Sequence, residues 1–456
     1  MSLSPEIFRQ YDIRGVVDRD LTEEGVEAIG RAFATWVAKG PLVVGRDCRL
    51  HSERLAKALL AGISKAGVPA IDVGVVPTPT LYFALHHFDA AGGIQITGSH
   101  NPPEYNGLKI SIGKQSLYGD GIQELRRRIE TQTFPPAASA SVERANIDAA
   151  YAEAVTSRMT MGPRHLKAVV DGGNGTAAPT AIPILEKLGV EVVPLFAEMD
   201  GTFPNHHPDP TVEQNLLDLR RAVLAEKADL GIAFDGDGDR IGVLDEEGRV
   251  LWGDQLMILF SRALLTEVPG ATVIGEVKCS QTLYDEITRL GGKPVMWKAG
   301  HSLIKAKMAE TGAELAGEMS GHIFFKHRWY GFDDATYSAA RLVELLSREP
   351  RPLGELLLDV PKTHSTPELR ADCPEDLKAP LVAACVRAFR ERGMEVVDVD
   401  GARVSYGDGA WGLVRASNTT PILVLRFEAK SDQRLKEVRT DFEAVLEAQR
   451  AKLLHG

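Results

Sequence analysis

A chain of 456 residues with 44% hydrophobic and 25% charged side chains is too long for one ordinary core, and at about 150 residues per domain it should divide into three or four. Its formal net charge of −11 argues against a general nucleic-acid surface, which needs a basic stripe, but not against small anions held where Arg, Lys and backbone amides gather in one cleft. Cys48, Cys279, Cys373 and Cys385 have no CxxC spacing and are too sparse for a disulfide framework. The opening MSLSPEIFRQYD has neither a basic nor an apolar leader region, and no unbroken apolar run nears about 18 residues, so reduced thiols, no membrane contact and a cytoplasmic location are expected.

In chain order, short apolar runs alternate with helical periodicity. The first unit reads as a strand at 42–45, a helix at 52–66, a strand at 70–73, a helix at 78–87 and a buried strand at 90–96. The second has strands at 167–170, 191–194 and 229–234 around a helix at 178–188, and the third has strands at 271–277 and 294–297 with helices at 281–290 and 302–311. Three α/β segments of similar size point to a structural repeat. The last part differs: a helix at 375–392, strands at 395–399, 402–406, 411–414 and 422–428, and a closing helix at 433–450 predict a smaller α+β domain. Connectors are expected at 134–141, 248–253 and 361–367, which places domains at 1–147, 148–251, 252–363 and 364–456.

Several turns between these elements carry chemistry. FRQYDIRG (8–15) sets Tyr11 and Arg14 near the start, where a structural ion pair explains them as well as a binding role does. TGSHNPPEYNGLK (97–109) puts Ser99 on a loop beside His100 and Asn101, with two prolines that block a helix and Lys109 beyond. A hydroxyl flanked by a histidine and an ammonium can accept a phosphoryl group, although a capped loop would look similar. DGGNGTAAP (171–179) lacks the GxGxxG spacing and reads as a structural turn. FDGDGDR (234–240) alternates Asp235, Asp237 and Asp239 with glycines after an apolar strand, so three hard carboxylates can meet at one Mg²⁺. A calcium EF-hand is excluded because the sixth position is Arg240 and a strand, not a helix, precedes it. KAGHS (298–302) places His301 at a strand-to-helix turn. AGEMSGH (316–322) offers Glu318, Ser320 and His322 at alternate positions, a spacing that could aim them one way at hydroxyls. RASNTTP (415–421) gathers Arg415, Ser417, Asn418 and Thr419 as a phosphate cradle, or as an Asx/ST turn.

The order of the serine loop, the Asp-Gly-Asp-Gly-Asp-Arg loop, the GEMSGH turn and the RASNTTP loop resembles the α-D-phosphohexomutase family along nearly the whole chain, and within it the bacterial bifunctional phosphomannomutase/phosphoglucomutase group. The resemblance implies three α/β domains with mixed sheets and a TATA-box-binding-protein-like fourth domain around a central cleft. It implies reversible transfer of phosphate between the 1- and 6-positions of glucose and mannose, through phosphorylated Ser99 and a hexose 1,6-bisphosphate. By the same resemblance Asp235, Asp237 and Asp239 hold Mg²⁺ together with the phosphate on Ser99, and Arg240 lies by the ion. Tyr11, Arg14, His100, Lys109, Lys278 and His301 line the reaction centre, with Lys109 and His301 as proton carriers. Glu318 and Ser320 hold sugar hydroxyls beside His322, and Arg415, Ser417, Asn418 and Thr419 hold the non-reacting phosphate. Implied too are glucose 1,6-bisphosphate as activator, small hexose phosphates as partners, and a monomer or dimer. A phosphoglucosamine mutase is the alternative within the family, disfavoured by GEMSGH in place of a GEQSGH-type turn. A catalytically silent sugar-phosphate binder is the alternative outside it, disfavoured by Ser99 and the three intact aspartates.

Overall fold

The computed structural model describes residues 3–131, 134, 137–417 and 421–455. The expected repeat is present, and its shared core has four strands where the sequence suggested three in the first two units and two in the third. In the first unit strand Leu42–Arg46 lies between Ala70–Val75 and Gly92–Ile96, all parallel, and Tyr105–Ile112 closes the run antiparallel to Gly92–Ile96. The second repeats this with Lys167–Asp171 between Glu191–Leu195 and Leu230–Phe234, closed by antiparallel Ile241–Asp245. The third has Thr272–Glu276 between Lys293–Trp297 and Leu315–Gly317, closed by Ile323–Phe325. Parallel neighbours need helical crossovers, supplied by Ser52–Lys65 and Thr78–His87, then Ala178–Lys187 and Leu217–Glu226, then Gln281–Arg289 and His301–Thr311. Each sheet is therefore mixed, and its central strands are buried on both faces, which explains runs such as Ala168–Val170 that show no alternation.

The repeat matters because it generates equivalent loops. Where the third parallel strand turns back into the antiparallel one, the three units place residues 97–104, 235–240 and 318–322. Those are the serine loop, the aspartate loop and the GEMSGH turn. Chain ends of parallel strands are where α/β proteins bind ligands, since the backbone emerges from the sheet there with polar groups unspent.

One apolar cluster runs from Val43 and Phe83 through Val170 and Phe234 to Phe325 and Leu346, so the three α/β units share a continuous core. The C-terminal domain has its own core, in which the helices Glu375–Glu391 and Asp432–His455 pack on a six-stranded antiparallel sheet through Phe389, Phe427 and Phe442. It meets the third unit through a small apolar contact of Val277 with Trp411 and Leu413, reinforced by Arg403, whose Nη1 donates to Val277 O (2.6 Å) and Cys279 O (2.7 Å). The expected connector segments include strand pairs: Val250–Leu251 pairs with Ile241–Asp245, and His364–Ser365 with Ile422–Ala429. No helix among the described residues is long and apolar enough to cross a membrane.

Candidate active site

Arg49 shapes the serine loop. Its Nη2 donates to Ser99 O (2.9 Å) and Asn101 O (2.5 Å), its Nη1 to Pro102 O (2.6 Å) and Tyr105 O (3.1 Å), so one guanidinium gathers four loop carbonyls. Gly98 is required because a Cβ there would stand 2.5 Å from that guanidinium. Ser99 adopts the left-handed region at φ 49°, which costs a non-glycine residue on the order of 1–3 kcal/mol and is a mark of functional loops. Its Oγ donates to Asp235 Oδ2 at 2.9 Å and lies 3.1 Å from His100 Nδ1. Burial, then Arg240 and Arg14, hold His100 well below the usual histidine range, so its ring is neutral. Arg14 both pairs with Asp12 at 2.5 Å and reaches Asn101 Oδ1 of the serine loop, so the ion pair and a place in the site coexist.

Asp235, Asp237 and Asp239 are fully buried, and one oxygen of each lies within 4.8 Å of the others. Lys109, from Tyr105–Ile112, crosses to them and donates to Asp237 Oδ2 (2.6 Å) and Asp239 Oδ2 (2.5 Å). Burial, then Asp237 and Asp239, push Asp235 well above the usual carboxylate range. Burial opposes charge on Asp237 as well, but the Lys109 ammonium holds it below that range. In return the two carboxylates outweigh burial and raise Lys109 well above its ordinary value. Asp237 Oδ1 and Asp239 Oδ1 are buried without a hydrogen-bond partner. Crowded carboxylates with orphaned oxygens are a donor set that fits a hard divalent cation.

The DGGNG loop is structural, and its function is support. Thr176 donates from N (3.1 Å) and Oγ1 (3.3 Å) to Gly236 O, pressing the aspartate loop against the serine loop. A Cβ on Gly236 would collide with Ser99 O. Gly236→Ala is therefore expected to fold but to lose about 10²-fold in turnover, the usual cost of an ångström's misplacement; comparing kcat with the thermal transition checks it, and wild-type turnover would show that the two loops need not touch.

From the second unit, Arg240 Nε donates to Nε2 of His322 in the third (3.0 Å). Arginine only donates, so the His322 ring proton sits on Nδ1, facing Asp333 Oδ2 at 3.2 Å and Asp239 Oδ1 at 3.6 Å. His301 opens helix His301–Thr311 with Nδ1 at 3.6 Å from the same Asp333 oxygen, and burial followed by Lys305 keeps it well below the usual histidine range. Asp333 was missed in the sequence. Its signal is the pair Asp333-Asp334 before a helix, where Asp334 is the N-cap that accepts Tyr337 N–H and Asp333 is left over for another purpose. The expectation that Glu318, Ser320 and His322 point one way is corrected. They lie on a turn closed by Glu318 N–H to His322 O (2.9 Å), with Gly321 at φ 92°, so alternation along a strand does not apply. Glu318 Oε1 instead accepts Gly300 N–H (2.6 Å), His322 faces the aspartates, and Ser320 sits in the turn between them.

Tyr11 OH donates to Ala299 O (2.9 Å), joining the first unit to the third. Lys278 Nζ pairs with Glu368 Oε2 at 3.2 Å, and Arg415 Nε with Asp400 Oδ2 at 2.9 Å, so these two cations stand where the third unit and the C-terminal domain meet. Arg415 lies in strand Trp411–Ala416, and Ser417 N–H donates to Ile422 O (3.0 Å) at the end of that hairpin. Asn418 and Thr419 lie outside the described residues.

A hydroxyl touching a carboxylate cluster, ringed by Lys109, Arg14 and Arg240, has the make-up of a phosphoryl-transfer centre built on a multidomain α/β frame. Models of the phosphoglucomutase/phosphomannomutase α/β/α domains I, II and III match residues 5–136, 149–248 and 252–364, and that of the C-terminal domain matches 368–445. The chain belongs to the phosphoglucomutase/phosphomannomutase family. It is 48% identical over 450 residues to a phosphomannomutase/phosphoglucomutase of Pseudomonas aeruginosa, covering 98% of this chain and 96% of the relative. It is 43% identical over 453 residues to a phosphoglucomutase of Neisseria gonorrhoeae, covering 98% of each. A crystal structure of a phosphoglucomutase/phosphomannomutase family protein from Burkholderia thailandensis superposes with a TM-score of 0.92 at 44% identity, over 98% of both chains.

Proposed function

We propose that the protein interconverts hexose 1-phosphates and hexose 6-phosphates of glucose and mannose through a phosphorylated Ser99 and a hexose 1,6-bisphosphate. The observation that carries this is the contact of Ser99 Oγ with Asp235 Oδ2 at 2.9 Å, which sets a serine held at positive φ on a cluster of three carboxylates able to hold a cation. The phosphoryl group on Oγ passes to the free hydroxyl of the substrate, the bisphosphate turns over in the cleft, and the other phosphoryl group returns to Oγ. Asp235, Asp237 and Asp239 would hold Mg²⁺, which when bound neutralises charge on the transferring phosphoryl group. Lys109 serves as the fixed counter-charge, and neutral His301 and His100 are the groups suited to take a proton from the attacking hydroxyl. Arg415 and Ser417, with Asn418 and Thr419, anchor the distal phosphate, Lys278 and Arg14 face the substrate, and Tyr11, Glu318, Ser320 and His322 surround the sugar. Glucose 1,6-bisphosphate primes the dephosphorylated enzyme. Domains at 1–147, 148–251, 252–363 and 364–456 and a cytoplasmic monomer or dimer complete the reading. An assay of glucose 1-phosphate to glucose 6-phosphate with Mg²⁺ and catalytic bisphosphate, combined with mass spectrometry of Ser99, tests it; absence of turnover or of a phosphoryl mass shift on Ser99 overturns it.

Specificity gives a further expected result. If Glu318 and Ser320 hold the hydroxyls on C3 and C4, which glucose and mannose present identically, the C2 epimers are weakly distinguished. A site that hydrogen-bonded the C2 hydroxyl would leave buried polar groups unpaired with the wrong epimer and reject it by roughly 10⁴-fold or more. The kcat/KM values for glucose 1-phosphate and mannose 1-phosphate are expected to agree within about 10²-fold, and Glu318→Ala to impair both alike. A strong preference for one epimer, or a loss confined to one, would sink dual specificity and leave the mutase chemistry standing.

A further inference from the structure

The Ala299–Gly300 backbone is the point at which three domains and two of the proposed substrate contacts come together. Ala299 N–H donates to Asp400 Oδ2 (3.0 Å) in the C-terminal domain, while Ala299 O accepts from Tyr11 OH (2.9 Å) in the first. The next amide, Gly300 N–H, donates to Glu318 Oε1 (2.6 Å). Asp400 Oδ2 is shared: it also accepts from Arg415 Nε (2.9 Å), and Asp400 Oδ1 stands 3.4 Å from Arg415 Nη2. The carboxylate thus grips the Nε–Nη2 edge of the guanidinium and leaves the Nη1 corner outside that contact. The segment between has little freedom to adjust, because Gly300 sits at φ 131° and a Cβ on it would stand 2.6 Å from the Tyr11 ring.

We propose that Asp400 is a positioning residue which couples the grip on the substrate's distal phosphate to the grip on its sugar ring through the Ala299–Gly300 backbone. The inference rests on the proposed role of Arg415 as phosphate anchor and of Glu318 as sugar contact. A phosphate that draws on the Arg415 guanidinium changes its hold on Asp400 Oδ2, the same oxygen that fixes Ala299 N–H; that shift reaches the Gly300 amide and so the direction of the Glu318 carboxylate. A hexose phosphate engages both ends of this chain, whereas inorganic phosphate engages only one.

The test is Asp400→Asn in the full chain, with kcat and KM for glucose 1-phosphate and the Kd of inorganic phosphate by calorimetry. The amide keeps the shape and an acceptor but removes the charge that competes for Arg415. We expect kcat/KM for glucose 1-phosphate to fall by about 10- to 100-fold, with inorganic phosphate bound as tightly as in wild type or more so. Tyr11→Phe, at the other end of the Ala299 peptide, should cause a loss that combines with that of Asp400→Asn to less than the product of the two, because both act on one peptide. Inorganic phosphate weakening in step with the sugar phosphate, which would make Asp400 a mere prop for Arg415, overturns the inference, and so do losses that multiply. Should Asp400→Asn lack a cooperative thermal transition, Asp400→Glu, which keeps the charge and displaces the carboxylate from Ala299 N–H, takes its place: weakened glucose 1-phosphate with unchanged inorganic phosphate supports the coupling, equal effects on both overturn it. Failure of the underlying reading appears separately, as wild-type protein without turnover or as Arg415→Ala with unchanged phosphate binding, and takes the inference with it.

Discussion

Ser99→Ala is expected to lower mutase turnover by about 10⁴-fold or more while leaving the Kd for hexose phosphates within about threefold of wild type. The change removes the atom that carries the phosphoryl group and little else. Alanine keeps the Cβ, so the left-handed backbone at φ 49° is no more strained than before, and Arg49 still gathers the loop carbonyls. What goes is the Oγ contact to Asp235 Oδ2 and to His100 Nδ1, which leaves the aspartates and Lys109 in place. The arginines and Glu318, which lie on other elements, should bind sugar phosphate as before. Turnover and calorimetric affinity measured on the same preparation decide it, and near-normal turnover would rule out a phosphoserine route.

Most of this arrangement is legible in the residues, for reasons that differ by element. The strands Leu42–Arg46, Lys167–Asp171 and Thr272–Glu276 announce themselves as unbroken apolar runs because the fold covers them on both faces. The antiparallel strands that close each unit are harder to see: YNGLKISI follows a loop rich in turn residues, and IGVLD and IFF are short. Only with those strands is it clear that residues 97–104, 235–240 and 318–322 are the same loop three times over. Helix Glu23–Val37 also escaped, although Thr22 is an N-cap that accepts Gly25 N–H and two glutamates follow it. At the site, residue types that suit one chemistry were found at once, as with Ser99 and the three aspartates. Residues that act through contacts distant in the chain were not: Asp400 and Thr78 join domains, Arg49 and Asp333 brace their own, and all four are ordinary letters in a sequence whose partners lie tens of positions away or more. Local spacing carries no information on such contacts. The GEMSGH turn was misjudged for a related reason, since period-two alternation holds along a strand and fails once a glycine at φ 92° reverses the chain.

Asp237→Ala is expected to cut kcat by about 10³-fold or more, because a bound cation contributes several kcal/mol at the transition state and each 1.4 kcal/mol is about tenfold. Folding stability should fall far less. Asp237 accepts from Lys109 Nζ (2.6 Å) and Thr78 Oγ1 (2.5 Å), and both contacts are lost, yet Lys109 keeps Asp239 at 2.5 Å. The loss also relieves the crowding that pushes Asp235 above the usual carboxylate range, where Asp237 follows burial as the cause. Stability therefore changes by a difference of opposed effects, whereas turnover loses a ligand outright. Wild-type protein should gain stability with Mg²⁺, by about 2.7 kcal/mol at a hundredfold excess over Kd, and the variant should gain little. Chelation of the wild type should reproduce the variant's turnover. Calcium separates a small octahedral site from a loose one, since it prefers six to eight oxygens at about 2.3–2.6 Å where Mg²⁺ wants six at about 2.0–2.1 Å. Thermal transitions with and without each ion, set beside kcat, give both readouts; turnover with calcium equal to that with magnesium, or a variant that keeps its Mg²⁺-dependent stabilisation, would show that the three aspartates do not form a compact site for the ion.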